Sequence, residues 1–403
     1  MMDPMVIKKI NKKETIRLHT YILGIYFLIS PLEDVLSFEV GTLAKYVSIL
    51  FLFAVIPFLY INKVKIITKK NMQLCVFPFM MIILAWLSCF WSISFQTSFS
   101  RNISYTTLPL LFIIIYCTPF NPREYRYVLN MALLGGILVF IIIVFEMGFS
   151  QILSKRLTLN ASNDPNNLAA LLLLPLCISI GKFYDFKLHK IKPIYFLVGI
   201  PVFFIFLITG SRGGVLSLVV FLISYLWLTS VKTNFYGIIK IIIIISIIAY
   251  FIIRLLPEGY ILRLFSKESY INAATSSGQR GQIWKNIFKY IIPELPIYGY
   301  GSGCSFIALS WIYGHLKGVH NTYLNMLIQY GIFGLPLFIA FIIKVFKTLL
   351  KEKSSFEIAM LLGILCTIFF LDSYAKKFFW NILYLLAIFL RSNSSEIMVR
   401  GKR

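Results

Sequence analysis

His320 has the setting most suited to acid-base chemistry of the four histidines. The stretch Gly314-His315-Leu316-Lys317-Gly318-Val319-His320-Asn321-Thr322-Tyr323-Leu324 runs straight into an apolar segment, which puts His320 at a helix start. Imidazole has an ordinary pKa of about 6.5 and can take a proton at neutral pH, as a general base must. The bland alternative for His320, and for His315 beside it, is a solvated loop residue.

A second cluster, Thr209-Gly210-Ser211-Arg212-Gly213-Gly214, lies between two apolar runs with almost no room for a loop. An arginine at that depth is costly unless it faces a cavity, a counter-charge or an anionic ligand. Snorkelling to an interface is its other reading. The glycines let a large ligand approach the backbone, N–H groups at a helix start favour phosphate, and the guanidinium fork suits a diphosphate better than an ammonium does. A third cluster, Ser276-Ser277-Gly278-Gln279-Arg280-Gly281-Gln282-Ile283-Trp284, opens an apolar-periodic stretch to Ile292 and a turn from Pro293 to Gly303. It reads as a short amphipathic helix lying on a membrane, with Trp284 as an interfacial anchor in the purely structural reading. Gly299 to Gly303 is not a dinucleotide fingerprint, because no strand precedes it and no βαβ unit surrounds it.

None of the 16 acidic residues forms Asp-x-Asp, and His-Glu-x-x-His or similar ligand spacing is absent. Metal catalysis is therefore not expected, and no cofactor is called for. The six cysteines form no CxxC, so neither a disulfide framework nor a zinc site is suggested.

The elements that must carry these clusters follow from composition. The 403 residues are 59% hydrophobic and 14% charged, against about 25% charged in an ordinary soluble domain. A polar skin cannot be made from this, so the chain is expected to be an all-α polytopic membrane protein with about 12 transmembrane helices of about 20 residues. Apolar runs fall near 18–32, 41–60, 74–91, 105–117, 127–147, 166–180, 194–209, 213–229, 237–253, 321–343, 357–371 and 378–390. The one substantial region outside them is a long loop at 254–320.

The formal charge of +23 would suggest nucleic acid as the partner of a soluble protein. Here 25 of the 39 basic residues sit at the N-terminus, in alternate loops and at the C-terminus, the pattern of cytoplasmic segments. Both termini are then cytoplasmic, and the partners of those charges are membrane lipid head groups, not nucleic acid. His19 and His189 fall on that side, whereas the three clusters and the long loop fall on the outer face. Glu33 and Asp34, adjacent in the first outer loop, are a minor candidate acid pair; otherwise they only mark the loop end.

In this order and on one face, the clusters resemble the O-antigen ligase and O-antigen polymerase superfamily of bacterial envelope enzymes. The similar stretches cover residues 156–340: Asn163-Asp164-Pro165-Asn166-Asn167-Leu168-Ala169, Thr209 to Gly214, Gln279-Arg280 with Trp284, the Pro296 to Gly303 turn, and His320-Asn321-Thr322-Tyr323-Leu324 followed by Tyr330-Gly331-Ile332-Phe333-Gly334. The resemblance implies a GT-C-like fold in a bacterial inner membrane and a metal-independent, inverting glycosyl transfer at the periplasmic face. The donor would be a glycan on undecaprenyl diphosphate; the acceptor would be a hydroxyl on lipid A core, or a second lipid-linked glycan if the enzyme is a polymerase. It also implies that Arg212 and Arg280 hold the diphosphate and that His320 takes the acceptor proton. Ser211, Gly213, Gln279, Asn321, Tyr323 and His315 would line the substrate, with Lys155 and Arg156 on an anion-attracting rim.

Ligase and polymerase share the donor chemistry, and the ligase reading is taken first because the arginine and histidine pattern is the one that branch requires. A flippase or other transporter is the rival from another class. Internal repeats, midplane polar sites and a long cytoplasmic central loop would mark it, and the chain has none of these patterns.

Overall fold

Within a bilayer the backbone has no water to bond with, so each crossing segment must close its own hydrogen bonds as a helix. The computed structural model describes residues 15–33, 35–38, 41–64, 68–152, 157–158, 164–185, 190–230, 239, 246, 261–262 and 280–400. Their apolar runs are helices α1 (Leu18–Ile29), α2 (Leu43–Ile61), α3 (Lys69–Leu87), α4 (Phe95–Cys117), α5 (Pro122–Ile152), α6 (Pro165–Phe183), α7 (Pro193–Ile208) and α8 (Arg212–Ser230). Within the stretch 254–320 lie α9 (Arg280–Asn286) and α10 (Ser305–Tyr313), and beyond it α11 (Thr322–Lys351), α12 (Ser355–Phe370) and α13 (Lys377–Arg400). The only strands among the described residues are two antiparallel pairs, Ser37–Phe38 with Gly41–Thr42 and Tyr184–Asp185 with Lys190–Ile191.

Among the described residues, six stretches are long and apolar enough to cross a bilayer: Leu43–Ile61, Asn71–Phe90, Pro122–Gly148, Pro165–Phe183, Arg212–Thr229 and Thr322–Lys351. Leu18–Leu32, Pro193–Ile208 and Ser355–Phe370 are apolar but shorter. The chain is therefore a multi-pass, all-helical membrane protein. Twelve crossings are not reached on length and apolarity, and the run expected at 237–253 lies largely outside the described residues. Helix α4 begins ten residues before the expected 105, because Ser94 caps a polar first turn by accepting the Thr97 N–H.

Polar side chains gather at the two ends of the bundle. At one end Glu124, fully buried, accepts from the Arg17 backbone N–H at 3.0 Å, the Arg17 Nε at 2.7 Å and the Thr20 hydroxyl at 2.9 Å. The same end holds Arg391, donating to Asn71 Oδ1 at 3.1 Å, and Lys182 over the Phe356 ring. At the other end Lys377 pairs with Glu33 at 2.5 Å and donates to Thr42 Oγ1 at 2.8 Å. Glu33 is thus a strut between the turn after α1 and the start of α13; Asp34 lies outside the described residues. Between the ends runs an aromatic core in which Phe112, Phe341, Trp380 and Tyr384 are all buried.

The sequence predicts one uninterrupted span over 321–343, and the structure corrects this. Helix α11 breaks at Gly331, with φ 59° and ψ −145°. The break frees carbonyls that a continuous helix would bond, and the turn from Pro296 to Gly303 supplies their donors. Tyr300 N–H reaches Ile328 O and Gly301 N–H reaches Gln329 O, both at 2.9 Å, while Ile332 N–H reaches Ile297 O at 3.0 Å. A β-carbon at Gly331 would collide with the Ile297 carbonyl. Gly331→Ala should therefore cost roughly 1–3 kcal/mol in backbone strain, plus the clash. It should lower the unfolding midpoint in detergent well below that of Gly148→Ala, where φ is likewise positive but a β-carbon meets nothing within 4 Å; equal midpoints would refute this account of the break.

Candidate active site

Four helix starts and one interhelical turn converge at the Lys377 end of the bundle. Helix α6 opens on Asp164-Pro165, proline being suited to a first helical position. Asp164 Oδ1 accepts from the Asn166 N–H at 2.9 Å and from Asn166 Nδ2 at 2.6 Å. Asn166 Oδ1 in turn accepts from the Ser211 hydroxyl at 2.7 Å, and Ser211 Oγ caps α8 by accepting the Gly214 N–H at 3.1 Å. A β-carbon on Gly214 would lie 2.9 Å from Ala169 Cβ, so this glycine lets α8 approach α6. The result is a fixed three-residue turn, Thr209 to Ser211, that delivers half-buried Arg212 as the first residue of α8.

Arg280 is the first residue of α9 and lines a crevice with Asn166, Ser211, Gly213, Phe370 and Leu371. Ile283, Ile287 and Ile291 recur every four residues and form the buried side of α9 and its wide-turn continuation, packed with Ala308, Leu309, Val319 and Ile328. Trp284 adds two anchors: its Nε1 donates to Val319 O at 3.0 Å, and its ring lies edge-on to Phe369 at 5.4 Å. The helix bearing Arg280 is thereby pinned to the segment bearing His320.

His320 directly precedes α11, whose cap is Asn321, with Oδ1 accepting the Leu324 N–H at 3.0 Å. Its φ is +53°, a left-handed conformation that histidine adopts more readily than most residues but that still needs support. That support comes from Asp372, in the turn between α12 and α13. The His320 N–H donates to Asp372 Oδ2 at 2.9 Å and the Asn321 N–H to Oδ1 at 3.2 Å. Thr322 Oγ1 locks the same two segments by donating to Leu371 O at 2.6 Å and accepting the Ser373 N–H at 2.9 Å. A β-carbon on Gly318 would sit 3.3 Å from Asp372 Oδ2 and 3.4 Å from His320 Nε2, so the carboxylate and imidazole flank one small residue.

Residues 197–339 match the O-antigen ligase family model. Over that stretch, about a third of the chain, the sequence is similar to the O-antigen ligase family. A domain of that family belongs to a glycosyltransferase-like enzyme acting in a membrane. No curated protein matches the sequence. The matched residues run from α7 into α11 and include Arg212, Arg280 and His320, whereas Asp164 and Asp372 lie beyond the domain's two limits.

The charges at the site are mutually coupled. Burial lowers the His320 pKa below the ordinary imidazole value; Asp372 and Asp164 oppose that, and Arg280 and Lys317 reinforce it. Burial also lowers the Arg280 pKa, which Asp164 and Asp372 raise and neighbouring Arg212 lowers further. The Asp372 carboxyl is pushed up by burial and pulled back by the N–H groups of His320, Asn321 and Val319 and by the imidazole itself. A neutral imidazole thus lies within electrostatic reach of the Arg280 guanidinium, which is itself within reach of Arg212, an arrangement that can accept a proton while holding an anion.

The other sequence-derived candidates have more varied places. Ser211 and Asn321 are helix caps, Gly213 lies against the Phe370 side chain, and the Tyr323 hydroxyl donates to Leu365 O at 3.4 Å. His315 is exposed, its ring 6.2 Å from that of Tyr313, and no described contact joins it to His320. Lys155, Arg156 and Gln279 lie outside the described residues. Asp372 was missed by sequence reasoning; its one signal is an acid in the short break between the apolar runs at 357–371 and 378–390.

The electrostatics set a pH response. Modification of His320 by diethyl pyrocarbonate, measured against His320→Gln, should titrate with a midpoint below about 6.5. Asp372 opposes that lowering, so Asp372→Asn should move the midpoint further down; a midpoint that rises would contradict the coupling.

Proposed function

We propose that the chain is an O-antigen ligase-type membrane glycosyltransferase that moves a glycan from undecaprenyl diphosphate to a hydroxyl of lipid A core. The observation that carries the reading is the meeting of Arg212, Arg280 and His320, from three separate segments, at one end of the bundle. The domain at 197–339 supports the same reaction class. On this reading the site faces the periplasm, both termini are cytoplasmic, the fold is GT-C-like with about 12 crossings and a long periplasmic loop, and the core spans 156–340.

The acceptor hydroxyl attacks the anomeric carbon from the face opposite the diphosphate and passes its proton to the His320 imidazole. The new carbon–oxygen bond forms as the bond to the diphosphate breaks, with inversion. The leaving diphosphate gains a negative charge, which Arg212 and Arg280 stabilise more strongly in the transition state than in the ground state. Asp164 and Asp372 keep the two arginines from being a bare cationic pair before the donor arrives, and Asp372 holds the His320 backbone. No metal is needed, because the guanidiniums offset the charge that a cation otherwise would.

The test is genetic and then quantitative. Deletion of the gene in its host, followed by gel analysis of the surface polysaccharide, should leave lipid A core bare while long glycans remain on the carrier lipid. Core capped with a single repeat would instead make the enzyme a polymerase. His320→Ala at normal expression should fail to restore the wild-type pattern. Arg212→Lys and Arg280→Lys should each cost roughly tenfold to hundredfold in transfer rate although charge is kept, because the forked geometry is lost; full activity in both would remove the diphosphate role.

A further inference from the structure

The same end of the bundle holds a second concavity that the transfer step does not use. Between the α9 segment and α10 lies an open groove of about 700 Å3, lined by Asn286, Tyr290, Glu294, Tyr300, Trp311 and Ile312. That volume is in the range of small-molecule sites. Trp311 is 59% exposed and Tyr290 48%, so two large rings face solvent where burial would have been favourable. Trp311 is held rather than loose: buried Tyr300 meets it edge-on, with ring centres 5.2 Å apart, and donates its hydroxyl to Glu294 O at 3.0 Å. The exposed Glu294 carboxylate and the Asn286 amide complete the lining.

The groove lies on the same helical segment that opens with Arg280. Gln282, Asn286 and Tyr290 recur every four residues, so they share one helix face. Gln282 Nε2 donates to Asn286 Oδ1 at 3.2 Å, and Asn286 Nδ2 donates to the Tyr313 hydroxyl at 3.0 Å. This polar and aromatic strip starts beside Arg280 and ends in the groove, about 15 Å away along the helix.

We infer that the groove binds the sugar chain of the donor where it extends away from the diphosphate. This rests on the transferase reading above. Pyranose rings offer C–H faces to aromatic rings and hydroxyls to a carboxylate and an amide, the mixture present here. An anionic occupant would meet the Glu294 carboxylate, and Lys289, a cation beside the groove, is engaged over the Tyr290 ring at 4.8 Å. A lipid chain would offer the Glu294 carboxylate no polar partner.

The test uses the full-length protein in nanodiscs with two donors, undecaprenyl diphosphate carrying the host's long glycan and the same lipid carrying a single N-acetylhexosamine. Trp311→Ala and Tyr290→Ala should slow transfer from the long donor by about tenfold, as loss of one aromatic anchor does, and leave the single-sugar donor unchanged. His320→Ala should abolish both. Equal losses on both donors, or none, would overturn the inference; Tyr290→Ala, at an exposed position, decides if Trp311→Ala fails to fold. If wild type uses neither donor, the transferase reading falls while the groove is still judged by fluorescence. Oligosaccharide released by mild acid from the host's carrier lipid should shift tryptophan emission in wild type but not in Trp311→Phe. No shift, or quenching of Trp311 only by brominated phospholipid, would make the groove something other than a sugar site.

Discussion

The candidate site depends on one carboxylate that accepts backbone hydrogen bonds from a different part of the chain. Asp372 binds the N–H groups of His320 and Asn321, which lie in a turn with a left-handed residue. Without it, His320 would relax from φ +53°, and the Asn321 cap that starts α11 would shift with it. Removing an acceptor from buried N–H groups costs about 1–3 kcal/mol each, and Thr322 alone, through Leu371 and Ser373, cannot replace two bonds. The same carboxylate raises the affinity of the imidazole for a proton while burial lowers it. One residue therefore fixes both where the imidazole stands and how readily it takes a proton.

The two ends of the bundle spend their polar groups differently. At the Arg17 end, Glu124 is saturated by donors from Arg17, Thr20 and Asn121, which closes the interface between α1 and α5. At the opposite end, Glu33 is likewise consumed by Lys377, but Asp164, Arg212, Arg280, His320 and Asp372 remain within electrostatic reach of one another around a crevice. A buried pair that is fully bonded contributes to the fold; a cluster of two arginines, two aspartates and a histidine around a crevice places ionisable groups where the charge of a ligand would act on them.

Much of this was legible in the sequence because it is local. The helices follow from apolar runs, the α8 start from Thr209 to Gly214, and the Asn321 cap from its place before an apolar segment. What was illegible is long-range. Asp372 contacts a turn 52 residues earlier, and nothing in a lone acid between two apolar runs says which N–H groups it accepts. Glu33 looked like half of an acid pair, yet its partner is Lys377, over three hundred residues away. The break at Gly331 was read as part of a span, since a glycine between apolar residues costs a helix only about 1 kcal/mol. Its partners are the Tyr300 and Gly301 N–H groups, which donate to Ile328 and Gln329, and the Ile297 carbonyl, which accepts from Ile332, a pairing that hydropathy does not encode.

That break explains why the loop before α11 is rigid enough to carry a site. The first part of α11, Thr322 to Tyr330, is held at its start by Asp372 and at its end by the bonds from Tyr300 and Gly301. The turn making those bonds is itself seated on α3 and α4: the Ser302 N–H donates to Ser88 Oγ at 3.0 Å, and the Ser98 hydroxyl donates to Ser302 O at 2.7 Å. Trp284 then carries the constraint from Val319 back to α9 and Arg280. The imidazole and one guanidinium are thus tied to the same helical scaffold by backbone hydrogen bonds rather than by their own side chains. Those side chains are left to meet a ligand, which is the condition for preorganised charge stabilisation.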